Sequence, residues 1–381
     1  MTLTYFELKR FIKNPKNKIC LAILVLFFLV LFGFNQLSVN QQFKTRTLAS
    51  TTTSLQQAKQ SVAVIKTQVA SAPEDTMLAK QLILAQAQEK MLSEQLKALT
   101  ADDLDRFATL AYEADLAALK SGDMAGSDDD QDRLSRLNSS NYYQAVKAVG
   151  GKMGLMANDA ADASFKTGSA ILHWLSATTL LVLITVLISD VVSSDIESSQ
   201  IRFYQLIGGR KFRQLVLKLL IPIGVVGVVT VLTFVVIYLI SGLLNGFGTW
   251  HYPYSLSDGS ISPIWQLSLK SLGLFLVSLL FIGSLGQLLS LIFKKSLVVI
   301  GLIVICLTGF LTLEREVWFQ PFKKFIPFEY LGYGRLINDI KILPDHFLLI
   351  GVVYLGGLSL IFLSISAYLY HQYYYRKVGK L

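Results

Sequence analysis

The chain has 381 residues, of which 52% are hydrophobic and only 16% charged; soluble domains carry about a quarter charged residues. That composition argues against a large aqueous surface and for a bilayer. The formal charge of +9 comes largely from basic residues beside apolar runs, which read as flanks that orient membrane spans and not as a nucleic-acid surface. Cys20 and Cys306 both lie inside apolar runs, against a disulfide framework or thiolate metal site.

Residues 1–18 open the chain. The stretch TLTYFELKRFIK (2–13) sets Leu3, Tyr5, Phe6, Leu8, Phe11 and Ile12 apart from Glu7, Lys9, Arg10 and Lys13. This is the pattern of a short amphipathic helix lying in a membrane interface. Asn14-Pro15 breaks it, because proline disfavours helix in the residue before it. The expectation is an elbow helix on the cytoplasmic face, followed by a turn into the bilayer.

The first span is expected at 19–37, with an unbroken apolar run over 19–34; about 20 apolar residues cross a bilayer. Its basic start resembles a signal peptide, but Phe34-Asn35-Gln36-Leu37-Ser38 offers no small-x-small cleavage site, so an uncleaved anchor is expected. Residues 38–169 then contain no run long enough to span. Met77, Leu78, Leu82, Ala85, Met91, Leu92, Leu96 and Leu99 recur at three- and four-residue intervals, predicting a helix over 74–100. Further helices are expected over 48–70, 102–119 and 142–154, and a solvated acidic loop over 121–132. Asp128, Asp129, Asp130 and Asp132 lack the glycine and the downstream glutamate of a calcium loop. The segment reads as an extracytoplasmic helical hairpin or small bundle.

Five more spans are expected, at 170–189, 215–244, 267–293, 297–313 and 347–370. Backbone amides in hydrocarbon must be satisfied within their own element, so these runs read as helices. Basic residues alternate along the chain. Lys9, Arg10, Lys13, Lys16 and Lys18 precede the first span; Arg202, Arg210, Lys211 and Arg213 follow the second; Lys294 and Lys295 follow the fourth; Arg376, Lys377 and Lys380 lie in the tail, 371–381. The loop over 245–266 has neither Lys nor Arg. The positive-inside rule then gives a multi-pass cell-membrane protein with both termini cytoplasmic. The fold class is all-α membrane protein: six transmembrane helices, an N-terminal elbow helix, and a large extracytoplasmic helical insertion between spans 1 and 2.

The loop over 190–214, within SDVVSSDIESSQIRFYQLIGGRKFRQLVLKLL, resembles the matching cytoplasmic loop of ABC-2-type transporter permeases, the membrane subunits of ABC exporters. In that family an acidic residue precedes a short amphipathic helix, a small-residue turn with a basic residue follows, and a lysine starts the next span. Here the acid is Glu197, the helix carries Ile201, Arg202, Phe203, Tyr204, Leu206 and Ile207, the turn is Gly208-Gly209-Arg210, and the lysine is Lys218. Ser198-Ser199-Gln200 stands where Gly-Thr often follows the acid, and Gly208-Gly209 replaces a frequent Pro-x-Ser. The resemblance implies a coupling helix that docks on a separate ATPase subunit. The stretch FIPFEYLGYGRL (325–336) is similar to the family's segment before the last span, where short re-entrant helices are common. Trp318, Phe319, Phe322, Phe325, Phe328, Tyr330 and Tyr333 suit an interfacial belt within 314–346.

No G-x-x-x-x-G-K-[ST] motif is present, so no phosphate-cradling loop is expected. No H-E-x-x-H, G-x-S-x-G or Cys/His cluster occurs either. The expected cofactor set is therefore none in this chain, with ATP-Mg held by a partner. Few ionisable residues fall mid-span, against a proton- or ion-coupled transporter. Ser278, Gly283, Ser284, Gly286 and Gln287 read as helix-packing residues. The resemblance implies a permease for an amphiphilic cargo, working with ABC ATPase subunits and a second copy or related permease chain. The competing expectation is a non-transporting scaffold or receptor, of the phage-adsorption or secretion-machinery kind, that uses the outer segment.

Overall fold

The computed structural model describes residues 3–36, 40–121, 130–154, 162–200, 211–256, 259–313, 316–332 and 347–378. They are mostly helical and fall into two compact units, one over 1–30, 168–237 and 266–381, the other over 31–167 and 238–265.

In the first unit, α1 (Leu3–Lys13) is followed after Asn14 by α2 (Pro15–Phe34). The expected break is there, and Pro15 sits where its missing N–H costs nothing, at the first position of the new helix. Four helices are long and apolar enough to cross a membrane: Pro15–Phe34, Lys211–Asn245 (α10), Ile264–Phe293 (α11) and Leu349–Gln372 within α13 (Phe347–Val378). At 35 residues, α10 is about 50 Å long, well over the hydrocarbon thickness of about 30 Å.

The expected span over 170–189 is not a single straight helix. It is divided between α7 (Ala163–Trp174) and α8 (Thr178–Ile188), bent by 69°. The Ser176 hydroxyl donates to the His173 carbonyl at 3.1 Å, and the Ala177 N–H to the Trp174 carbonyl at 3.2 Å. These local bonds replace the helical ladder at the bend. The fifth apolar run forms α12 (Ser296–Leu313), of 18 residues. It is the shortest of the apolar helices that run unbroken among the described residues.

The aromatic segment after α12 forms two short 3-10 helices, Val317–Phe325 and Pro327–Leu331, and its rings divide. Phe319, Phe328 and Tyr330 are buried, while Trp318, Phe322 and Phe325 stay exposed. Phe328 packs on Phe281 and Phe310, with centroids 5.7 and 5.4 Å away. The Tyr354 hydroxyl of α13 donates to the Phe325 carbonyl at 2.6 Å. Half of the expected belt is therefore a protein core; Tyr333 lies outside the described residues.

In the second unit, α3 (Asn40–Ser71), α4 (Thr76–Thr100), α5 (Leu104–Ser121) and α6 (Asp130–Ala148) each pack on the next. Short connections make neighbours antiparallel. The α4 helix starts at Thr76, two residues later than its sequence pattern predicts, because the Asp75 carboxylate caps it by accepting from the Met77 and Leu78 amides at 2.8 and 3.2 Å. The last helix begins at Asp130, twelve residues before the apolar pattern predicts, and ends at Ala148. Asp128 and Asp129 of the acidic run lie outside the described residues.

The lysine-free loop over 245–266 belongs to this unit and forms an antiparallel ribbon, β1 (Pro253–Ser255) with β2 (Ile261–Pro263). The ribbon packs on α6. The Tyr252 hydroxyl donates to the Lys152 carbonyl at 2.7 Å, and its ring lies 5.0 Å from Phe165. Gly259 has φ +79°, and a Cβ there would overlap the Asn138 side chain of α6. Gly259→Ala is expected to loosen the ribbon, costing on the order of 1 kcal/mol or more. Gly150→Ala, at φ +65° with nothing within 4 Å, isolates the backbone part of that cost. Thermal unfolding of the two variants side by side measures both, and equal shifts would mean that Asn138 does not press on Gly259.

Candidate functional site

The first unit gathers its charge at the junction of α1, α9, α10 and α12. The short α9 (Val191–Glu197) follows α8 directly after Ser189 and Asp190. A lysine within the long apolar run of α10 needs a counter-ion, and Lys218 finds one in Asp195 of α9, an ion pair. The same carboxylate also binds Arg10 of α1. Asp195 is fully buried, Lys218 is 3% exposed and Glu7 5%. Arg10 lies 3.9 Å from the Glu7 carboxylate, one turn away on α1.

Asp190 anchors a second set of bonds. Its Oδ1 is 2.6 Å from Lys16 Nζ, which also donates to the Val186 carbonyl at 3.0 Å. Its Oδ2 accepts from the Ser296 hydroxyl at 3.0 Å. The Ser296 amide donates to Glu197 Oε1 at 3.1 Å. Glu197 thus caps the N-terminus of α12, where a carboxylate is favoured by both the free amides and the helix dipole.

Three acids (Glu7, Asp190, Asp195) meet three bases (Arg10, Lys16, Lys218), so the formal charges of the cluster balance. Neutrality matters because an unpaired buried charge costs several kcal/mol. A cavity of about 50 Å³ lies among Glu7, Asn17, Asp190, Lys218 and Pro222. Pro222 has no N–H to give to the Lys218 carbonyl four residues earlier, which adds an acceptor to the wall. Chemically this is a set of fasteners. It joins four segments far apart in sequence. Among the described residues no group of three or more His, Cys, Asp or Glu side chains could hold a metal.

The buried face of α1 differs from the one its sequence pattern predicts. Glu7 and Phe11 face inward, while Tyr5, Leu8 and Ile12 are exposed, as are Lys9 and Lys13 beside them. Pairing with the cluster overrides the simple apolar-in rule, since Arg10 of the same helix reaches Asp195.

Of the residues expected to couple to a partner, Glu197 is exposed and bound to Ser296. Ile201, Arg202, Phe203, Tyr204, Leu206, Gly208, Gly209 and Arg210 lie outside the described residues. Lys218, predicted only as a late lysine, is the buried partner of Asp195. Glu7, Arg10, Lys16, Asp190 and Asp195 were invisible to motif reasoning. The one available signal was Lys218 itself, a charge that an apolar helix cannot bury alone.

The packing of α11 is as its small and polar residues predict. Gln287 Nε2 donates to the Leu215 carbonyl at 3.0 Å, and the Ser290 hydroxyl to the Ser189 carbonyl at 3.2 Å. Both bonds hold α11 against the ends of α8 and α10 beside the ion cluster.

Comparisons with protein families, with curated proteins and with solved structures gave no match.

Proposed function

We propose that this chain is the permease subunit of an ATP-driven exporter for an amphiphilic cargo such as a peptide, a lipid-linked molecule or a drug. In this reading ATP is hydrolysed by separate ABC ATPase subunits, and a second copy or related chain completes the pathway. The observation that carries the reading is the ion cluster. It fastens α1, α10 and α12 to α9, the helix that leads into the loop expected to dock on the ATPase. A push on that loop would therefore be delivered to several membrane helices at once.

The proposed topology has six spans, with the bent α7–α8 pair as the second and α12 as the fifth. Both termini and the cluster face the cytoplasm. Lys16 and Lys218, with Ser296 (next to Lys294-Lys295), all bond to Asp190 or Asp195 at α9, which supports placing these segments together. In this reading they share the cytoplasmic side.

Purification from its own cells is expected to bring down an ATP-binding-cassette ATPase, and reconstituted ATPase activity should fall severalfold in a Glu197→Ala, Arg202→Ala variant. A chain that purifies alone and stimulates no ATPase would overturn the proposal. The second reading, a scaffold or receptor, is favoured by one observation: α3 to α6 and the ribbon form a packed unit of their own. Deleting 40–165 separates the two. A receptor loses all function, whereas a permease keeps ATP-driven transport.

A further inference from the structure

A second cavity, of about 180 Å³, lies between α5 and α6 of the outer unit. An engineered apolar cavity of roughly 150 Å³ is enough to take up benzene. Its walls include Phe107, Tyr112, Tyr142, Tyr143 and Met153, and the carboxyl side chain lining it is Asp115. Ligand sites have this make-up: an apolar and aromatic surface with few convergent polar groups.

The rings are held in place by bonds outside the cavity's own needs. Tyr112 and Tyr143 stack at 4.1 Å with planes 15° apart. The Tyr143 hydroxyl donates to Thr109 Oγ1 at 3.1 Å, and Gln144 Nε2 donates to the Tyr112 hydroxyl at 3.0 Å. The site is thus preformed. Lys147 lies 5.5 Å from the Tyr143 ring centroid, so this aromatic pair already attracts one of the protein's own cations.

Asp115 is weakly paired, and its side chain is 27% exposed. Arg136 Nη1 reaches its Oδ1 at 3.5 Å, the outer limit of a hydrogen bond, and Oδ2 makes no hydrogen bond among the described residues. Burial pushes the Asp115 carboxyl above its ordinary range, and the Arg136 charge opposes that only in part. Arg136 does not line the cavity. A ligand inside therefore meets a carboxyl group, which favours a cation, and a largely aromatic wall.

We propose that this cavity binds a small organic cation with an apolar body, its ammonium against Asp115 and its body among Phe107, Tyr112, Tyr142 and Met153. The inference is independent of the transport reading, since a permease and a receptor could both carry such a site. Two isosteric probes decide it, benzylamine (cationic) and benzyl alcohol (neutral), titrated against the full-length protein in detergent by saturation-transfer NMR. Benzylamine should bind with a dissociation constant of about 1 mM or below. Asp115→Asn should weaken it about tenfold and leave benzyl alcohol unchanged, which also shows that the variant is folded. Arg136→Gln removes the competing cation and should tighten benzylamine severalfold. Ala111→Phe, which fills the cavity from α5, should abolish both probes. The proposal is overturned if benzylamine shows no saturable binding up to about 10 mM, if benzyl alcohol binds the wild-type protein as tightly, or if Arg136→Gln leaves benzylamine binding unchanged.

Discussion

Replacing Asp195 with alanine is expected to destabilise the first unit by about 3–5 kcal/mol, the usual cost of breaking a buried ion pair from one side. The loss is large because one carboxylate serves two cations. Lys218, 3% exposed, would lose its ion-pair partner, and Arg10 would lose its partner in α9. Lys218→Met should cost less, since Asp195 would keep Arg10. The double variant, Asp195→Leu with Lys218→Met, should recover most of the loss, because replacing a buried pair by apolar side chains is often neutral. Lys16→Met is the mild control: the lysine is partly exposed, and Asp190 keeps its bond from Ser296. Thermal unfolding of the detergent-solubilised protein ranks the four. If Asp195→Ala unfolds within about 0.5 kcal/mol of the wild type, the range of an ordinary surface substitution, the cluster is not holding these helices together.

The same variants bear on the functional proposal. If the cluster only stabilises, the double variant should restore transport along with stability. If it carries motion from α9 to the spans, the double variant should be stable yet slow. It would have lost the charged bond through which α9 grips α10 while keeping the packing around it. Arg10 to Asp195 and Lys16 to Asp190 are parallel fasteners between the N-terminal segment and the residues after α8, so losing one leaves the other in place.

The four long apolar helices are legible because bilayer length and apolar runs are properties of contiguous sequence. The break at Asn14-Pro15 was legible for the same reason, since proline acts on its immediate neighbour. Helices α3 to α6 are legible in number but not in their ends. Asp75 moved one start inward by capping, and α6 extends back to Asp130 through polar residues that show no apolar period. The bend at Ser176 was hidden inside an apolar run, because a serine hydroxyl that takes over a backbone carbonyl leaves hydropathy unchanged. The ribbon over 253–263 was hidden too; three-residue strands have no period to detect, and this pair is held by contacts such as Tyr252 to Lys152, about a hundred residues apart in sequence. The ion cluster is the extreme case. Glu7, Arg10, Asp190 and Asp195 each look like ordinary flanking charges, and only folding brings them together. The pattern over 189–220 did point to this neighbourhood, through Glu197 and Lys218, but for docking and not for internal bonding.

Gly286→Ala is expected to be the most damaging single-methyl change in the membrane helices. A Cβ at this position would lie 2.5 Å from Ser189 Cα and 2.7 Å from its carbonyl oxygen. The obstruction is backbone, so no side chain can rotate away. Helix α11 would have to retreat from the end of α8. Retreat would stretch the Ser290 bond to the Ser189 carbonyl, and Gln287, the next residue along, would be pulled from the Leu215 carbonyl. Overpacking together with the two weakened bonds should cost on the order of 3 kcal/mol. Two glycines serve as comparisons. At Gly283 a Cβ would meet the Leu219 Cδ1 methyl, the end of a flexible side chain, so Gly283→Ala should cost well under half as much. At Gly301 of α12 nothing lies within 4 Å, and alanine should be neutral or stabilising by up to about 1 kcal/mol through helix propensity. The order Gly286, then Gly283, then Gly301, read by thermal unfolding, is what a backbone contact between α11 and Ser189 requires. Equal effects at Gly286 and Gly301 would mean that the contact is absent. The contact adjoins Asp190, so a displaced α11 should also disturb the cluster. Gly286→Ala combined with Lys16→Met should then cost measurably less than the sum of the two.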